Sequence, residues 1–164
     1  RGRFRHAYDV WESLVRVPLV IHVPGAEPRR IDTPRGHIDL APTFAELMGV
    51  PDDPPFRGKS LVSEVFGGPT PLRPVVVDLP RSDIMDRRRA VIDQRWKIIE
   101  LGNGEEWLLF DVEKDPKEEN DLSASDPERF AVMKELYEKL SSEIPNEPIP
   151  GLVGLKGAPK GQRW

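Results

Sequence analysis

The chain has 164 residues, no cysteine, 18 prolines and a net charge of −4 with both signs mixed along its length. That length is enough to bury about 68–70% of the unfolded surface, and the missing cysteines exclude disulfides, thiolate metal sites and a cysteine nucleophile within the chain. The mixed charge lacks the basic face of a nucleic-acid binder, and no apolar run approaches membrane-spanning length.

In chain order, Asp9 is placed to cap a short helix over 10–16, with Val10, Leu14 and Val15 facing inward. Pro18 ends it. "LVIHV" (19–23) reads as a buried strand stopped by Pro24-Gly25. "HIDLAPTFAELMGV" (37–50) is a helix with Asp39 as cap and Pro42 in the first turn. Leu40, Phe44, Leu47 and Met48 form its apolar face, and Gly49 is its stop. "SLVSEVFGG" (60–68) is a shorter helix capped by Ser60.

After the proline-rich link 69–74 the pattern changes. "VVVDL" (75–79), "RRAVID" (88–93), "WKIIEL" (96–101) and "EWLLFDV" (106–112) read as strands, with Gln94-Arg95 and "GNG" (102–104) as hairpin turns. A small antiparallel sheet with one wet face is expected, its hairpins packed together by Trp96 and Trp107. "SDPERFAVMKELYEKLSSEI" (125–144) is the strongest helix. Asp126 caps it, Pro127 opens it, and Phe130, Met133, Leu136, Tyr137 and Leu140 make one stripe. The order predicts the end of an α/β sheet over 1–68, a small α+β subdomain over 75–144 and an irregular tail over 145–164.

Five segments carry a resemblance in the right order. "YDVWESLVRVPLVIHVPG" (8–25) resembles the "LYE…RVPLI…PG" segment of type I sulfatases. "IDTPRGHIDLAPTFAELMGVP" (31–51) is similar to their "hIDLaPTllelaGv", and "FRGKSL" (56–61) to the "F.GrSL" that follows. "RAVIDQRWKII" (89–99) and "LLFDVEKDPKEENDLS" (108–123) resemble their late hairpin and its "LYDLekDPgE.nNLa" ending. By this resemblance the chain is identified as the C-terminal portion of a sulfatase of the alkaline phosphatase superfamily. The resemblance implies an α/β fold, a sulfate ester substrate, a formylglycine nucleophile and a calcium ion. It places the nucleophile motif and the calcium carboxylates upstream of these residues, so no catalytic or metal residue is expected here and the chain alone should be inactive.

One substrate contact is expected within the chain. Relatives place a sulfate-contacting Lys or His just before "LYE", which makes His6 the candidate, with Ala7 where some relatives carry Lys. A His beside an anion is favoured protonated and can act as donor or acid. Arg3 and Arg5 read as solvated charges.

Other tempting residues have plainer readings. "SDPER" (125–129) fits the letters of the formylglycine motif through Ser125, but Asp126-Pro127 is a helix opening. His22 reads as a hydrogen-bonded core or edge residue and His37 as a local hydrogen-bonding group; three scattered histidines lack metal-site spacing. Glu12 and Arg16, four apart, predict a helical ion pair. "DVEKDPKEEND" (111–121) fails the EF-hand pattern at Pro116 and reads as a solvated turn. "MDRRRA" (85–90) reads as an exposed charge run.

Two alternatives remain at this level: a phosphonate or phosphate ester hydrolase of the same superfamily, and a non-catalytic binding or assembly module. With no partner strand nearby in sequence, "LVIHV" should leave an exposed apolar face through which the isolated chain self-associates. Substrate identity and compartment are not readable.

Overall fold

The computed structural model describes residues 9–51, 56–81, 86–102 and 104–145. Its contacts separate into two units, Arg1–Arg16 with Val76–Trp164, and Val17–Val75.

The first unit is built on a four-stranded sheet. β1 (Val75–Leu79), β2 (Arg88–Asp93), β3 (Trp96–Leu101) and β4 (Glu106–Asp111) lie side by side in chain order. β2–β3 and β3–β4 are antiparallel, with Ala90 opposite Ile99 and Ile99 opposite Leu108. The β2–β3 turn is the expected Gln94-Arg95 pair, and Gln94 takes the left-handed conformation (φ +54°) that a two-residue hairpin demands. The strand boundaries follow the sequence reading to within one residue at the end of β4.

The alternation of these strands feeds two cores. Ala90, Ile99 and Phe110 point to one face, where they meet Val10, Val112 and Trp11. Val91, Ile98 and Leu109 point to the other and meet Met133 and Tyr137 of α4 (Pro127–Ser141). The expectation of one wet face is therefore corrected. Val10 and Trp11 lie on the face that α4 leaves open, so the middles of β2 and β3 are buried on both sides. Trp96 and Trp107 both pack against this core, which joins Val91, Ile98 and Leu109 of the hairpins to α4. Trp107 meets Tyr137 and Phe130 edge-on at 4.8 and 6.4 Å.

α4 starts as its sequence dictates. Asp126 accepts the Arg129 N–H at 3.0 Å and Pro127 opens the first turn. The short α1 (Glu12–Val15) does not: its N-cap position is held by Trp11 rather than Asp9, with no capping bond from the Trp11 side chain. Asp9 pairs instead with Arg88 at 2.9 Å.

The second unit holds a 3₁₀ turn (His37–Asp39), α2 (Leu40–Leu47) and α3 (Val62–Val65). Ser60 accepts the Val62 N–H at 3.2 Å at the start of α3. Two expectations fail here. Residues 19–23 form no strand, and Val20 is 89% exposed. Apart from the first residue of β1, the described residues of this unit contain no strand, so the run has no strand to pair with, and Val23 O accepts the Ala26 N–H at 3.1 Å in the Pro24-Gly25 turn. On α2, Phe44 and Met48 are 54% and 70% exposed, while Pro42, Thr43 and Ala45 are buried. The face expected to be core points outward.

Candidate functional site

His6 lies outside the described residues, as do Arg3 and Arg5. His22 is exposed rather than placed in a core, and His37 is exposed at the start of the 3₁₀ turn. Ser125 is exposed just before the α4 cap, in the helix opening its sequence predicts.

The densest constellation of buried charge is one that sequence reasoning missed. Lys97, in β3, is fully buried on the face that meets Val10. Its ammonium donates to Val10 O at 2.7 Å and to Glu12 Oε1 at 2.9 Å, and Glu118 Oε1 lies 2.9 Å away. The first two oxygens accept hydrogen bonds from the ammonium, and Glu118 Oε1 meets it as an ion pair. Glu118 is buried in turn, and its second oxygen accepts the Glu12 backbone N–H at 2.7 Å. Burial pushes the Glu118 carboxyl above its ordinary pKa, against the pull of Lys97. Glu118 also stands in the left-handed region, φ +54°. Glu12 therefore pairs with Lys97, not with Arg16 as its helical spacing implied. The acidic turn is not wholly solvated either, since Glu118 points inward. The available signal was the alternation of "WKIIEL", which puts Lys97 on the same face as Ile99 and Leu101.

The arginine run is committed as well. Arg87 meets Glu100 at 2.9 Å, Arg88 meets Asp9 at 2.9 Å and Arg89 meets Asp78 at 2.6 Å. This corrects the reading of an exposed charge run. On the α4 side, Tyr137 also donates to Glu100, at 2.7 Å. Burial, then that bond to a carboxylate, pushes the Tyr137 phenol up to about 12, so it stays protonated at ordinary pH. An open cleft of about 310 Å³ runs along Arg87, Arg89, Trp107, Tyr137 and Ser141. Its guanidiniums already have carboxylate partners.

In the second unit Asp39 is fully buried. It accepts from Gly36 N at 3.1 Å, Lys59 N at 2.9 Å and Arg73 Nη1 at 2.8 Å. Gly58 makes this possible: a Cβ there would stand 1.9 Å from the Ile38 carbonyl oxygen. A second pair joins Arg35 and Glu64 at 3.0 Å.

Chemically these groups hold and orient; none is an activated nucleophile. Among the described residues no three His, Cys, Asp or Glu side chains converge as metal ligands. A calcium ion of the kind the resemblance implies does not fit them. Nor is any described helix long and apolar enough to cross a membrane.

The curated relatives that the chain matches are sulfatases. The chain is 33% identical over 118 residues to choline-sulfatase of Rhizobium meliloti, covering 70% of this chain and 23% of that protein. It is 24% identical over 152 residues to N-acetylgalactosamine-6-O-sulfatase of Bacteroides thetaiotaomicron, covering 82% of this chain and 28% of that protein. The chain thus spans about a quarter of the length of the curated relatives it matches. The solved phosphonate monoester hydrolase of Silicibacter pomeroyi shares the fold, with a TM-score of 0.66 at 23% identity over 84% of this chain and 30% of that one. The sequence matches define the C-terminal portion of a sulfatase. More narrowly, residues 3–146 match the C-terminal family of N-sulphoglucosamine sulphohydrolase, and the chain belongs to that family.

Proposed function

We propose that this chain is the C-terminal part of an enzyme that hydrolyses sulfate esters, and that it is inactive alone. The observation that carries this reading is the family match over residues 3–146, on a chain that spans about a quarter of its relatives. In such an enzyme a formylglycine supplies the nucleophile and a calcium ion neutralises the sulfate oxygens; neither is assigned to a residue of this chain. The expected division into 1–68 and 75–144 is proposed with one change, since residues 9–16 pack in the sheet unit.

The part these residues play is to bind and to hold. His6, protonated beside the sulfate group, donates to it. The sheet unit fixes the backbone that follows His6, because Val10 is in its core and Glu12 is in its ion cluster. The second reading, a phosphonate or phosphate ester hydrolase, is separated from the first by substrate preference.

The test is to express the complete open reading frame and residues 1–164 side by side. Both are assayed with 4-nitrophenyl sulfate, 4-nitrophenyl phosphate and a phenylphosphonate monoester. The complete protein is expected to prefer the sulfate, and the short chain to release no nitrophenol. Preference for the phosphonate gives the second reading. No hydrolysis by either protein leaves a binding module, and turnover by residues 1–164 refutes the claim that they are inactive alone.

A further inference from the structure

The cluster at Lys97 does not balance its charge. One ammonium faces two carboxylates, and all three side chains are buried. Glu12 and Lys97 form a hydrogen-bonded pair at 2.9 Å, which leaves Glu118 as the surplus charge. Its Oε2 accepts the Glu12 N–H at 2.7 Å. Its Oε1 lies 2.9 Å from the ammonium but makes no hydrogen bond among the described residues. Cations of the adjoining hairpin are committed elsewhere: Arg88 to Asp9 at 2.9 Å and Arg95 to Asp111 at 3.0 Å. In the turn that carries Glu118, the charged residues Glu113, Lys114, Lys117 and Glu119 are exposed, and Asp115 accepts the Asn120 N–H.

A buried carboxylate without a full counter-charge is costly, and a proton removes the charge while leaving the group in place. Burial raises the Glu118 carboxyl above its ordinary 4.5, and the Glu12 charge acts the same way, against the pull of Lys97 and the Glu12 N–H. Oε1 is the oxygen available to carry the proton, and Oε2 keeps the Glu12 N–H in either state. We propose that the cluster is a proton-linked latch: protonation of Glu118 on acidification tightens the hold of the sheet unit on residues 10–12, and deprotonation loosens it. The cluster's contacts on that segment fall on Val10 O, Glu12 Oε1 and Glu12 N. The four-residue α1 that follows has no stability of its own, so its hydrogen bonds, Leu14 N and Val15 N to Trp11 O and Arg16 N to Glu12 O, depend on the latch. When the segment lifts, Glu118 is hydrated and its carboxyl returns to its ordinary value, so opening releases the proton. A carboxyl raised in the closed state contributes stability that is complete below about pH 4.5 and is lost as pH rises through the closed-state value. One proton changes the opening equilibrium by at most about tenfold per pH unit. The latch is independent of the reading of the chain as a hydrolase.

The test is hydrogen exchange of the complete protein between pH 8 and pH 4.5, read in peptic fragments spanning Glu12–Arg16 and corrected for the intrinsic pH dependence of exchange. Wild-type protection is expected to rise by at least about threefold as pH falls, and no more steeply than about tenfold per unit. Fragments from 130–137 of α4, on the other side of the sheet, should not follow it. Glu118→Gln puts a neutral group of the same shape at the site. Its protection should not vary with pH, and at pH 8 it should equal or exceed that of wild type. Lys97→Met removes the charge that opposes protonation, so its rise should be centred at higher pH. Wild-type protection constant within about twofold overturns the proposal. So does a Glu118→Gln variant less protected than wild type at pH 8, because the carboxylate charge itself would then hold the segment. A pH dependence that persists in Glu118→Gln assigns the proton to another group and overturns it as well. These three readings decide the matter even where Lys97→Met fails to fold.

Discussion

Replacing Asp39 by Asn removes one charge from the most completely bonded carboxylate of the second unit. Asp39 accepts Gly36 N on one oxygen, and Lys59 N and Arg73 Nη1 on the other. An amide has a single oxygen. Its better orientation keeps Lys59 and Arg73 and turns its NH₂ against the Gly36 N–H. One buried donor is then unsatisfied, at a cost of about 1–3 kcal/mol. The two surviving bonds lose their charge assistance, and Arg73, largely buried, loses its neutralising partner. Together these effects destabilise the 36–59 contact by about 3 kcal/mol, on the order of 100-fold in its opening equilibrium. The described tryptophans, at 11, 96 and 107, belong to the other unit, so amide exchange is a better reporter than their fluorescence. Gly36, Lys59 and Leu61 are the amides to follow. The pH dependence gives a second check. Burial pushes the Asp39 carboxyl up, but Arg73 and the Lys59 and Gly36 N–H groups outweigh it, so its folded pKa lies below the ordinary 3.8. A depressed carboxylate contributes stability that is complete above about pH 4 and lost as pH falls through the folded value. The gap between wild type and variant should therefore be full at pH 7 and pH 5 and close only below pH 4. Protection factors within threefold of wild type at pH 7 would refute the reasoning.

Two further outcomes follow from the same unit. Gly58→Ala places a methyl group 1.9 Å from the Ile38 carbonyl oxygen and 2.8 Å from Asp39 N, so the 56–59 segment must move away from Asp39; loss of the Lys59 amide protection checks it, and wild-type protection would show that the approach is looser. The isolated chain, with Val20, Phe44 and Met48 exposed, is expected to bind a hydrophobic dye and to sediment with a mass that rises with concentration. A dye-silent monomer across a hundredfold concentration range would contradict that expectation.

The sheet unit was readable because each strand carries its own signal. "RRAVID" and "WKIIEL" alternate over six residues and are joined by a two-residue turn, so period, length and register point the same way. α4 announces itself by a cap, a first-turn proline and a stripe, all local features. "LVIHV" and the Phe44–Met48 face read correctly as apolar, but apolarity does not say what covers a residue. Both predict a core because a core is where such residues end up when partners exist, and the described residues within Val17–Val75 leave Val20, Phe44 and Met48 exposed.

The charged residues were misread for a different reason, and it bears on the site. A Lys, Glu or Arg is exposed unless paired, and a pair is a long-range property. Lys97 finds Glu12 eighty-five positions away, and Arg89 finds Asp78 across the neighbouring strand. Local rules offered Arg16 to Glu12 and solvent to Glu118, and each choice was the cheaper one locally. The fold overrides both by bringing an N-terminal segment, a central strand and a tight turn to one buried point. Hydrophobic burial alone would have fixed Val10 on the sheet but left the chain free to slide and rotate about it, since apolar contact is non-directional. The ammonium and the two carboxylates add direction at residues 10 and 12, immediately after the region where the family reading places a substrate contact. The features least legible in the sequence are thus those that impose direction on the packing of residues 10–12 against the sheet.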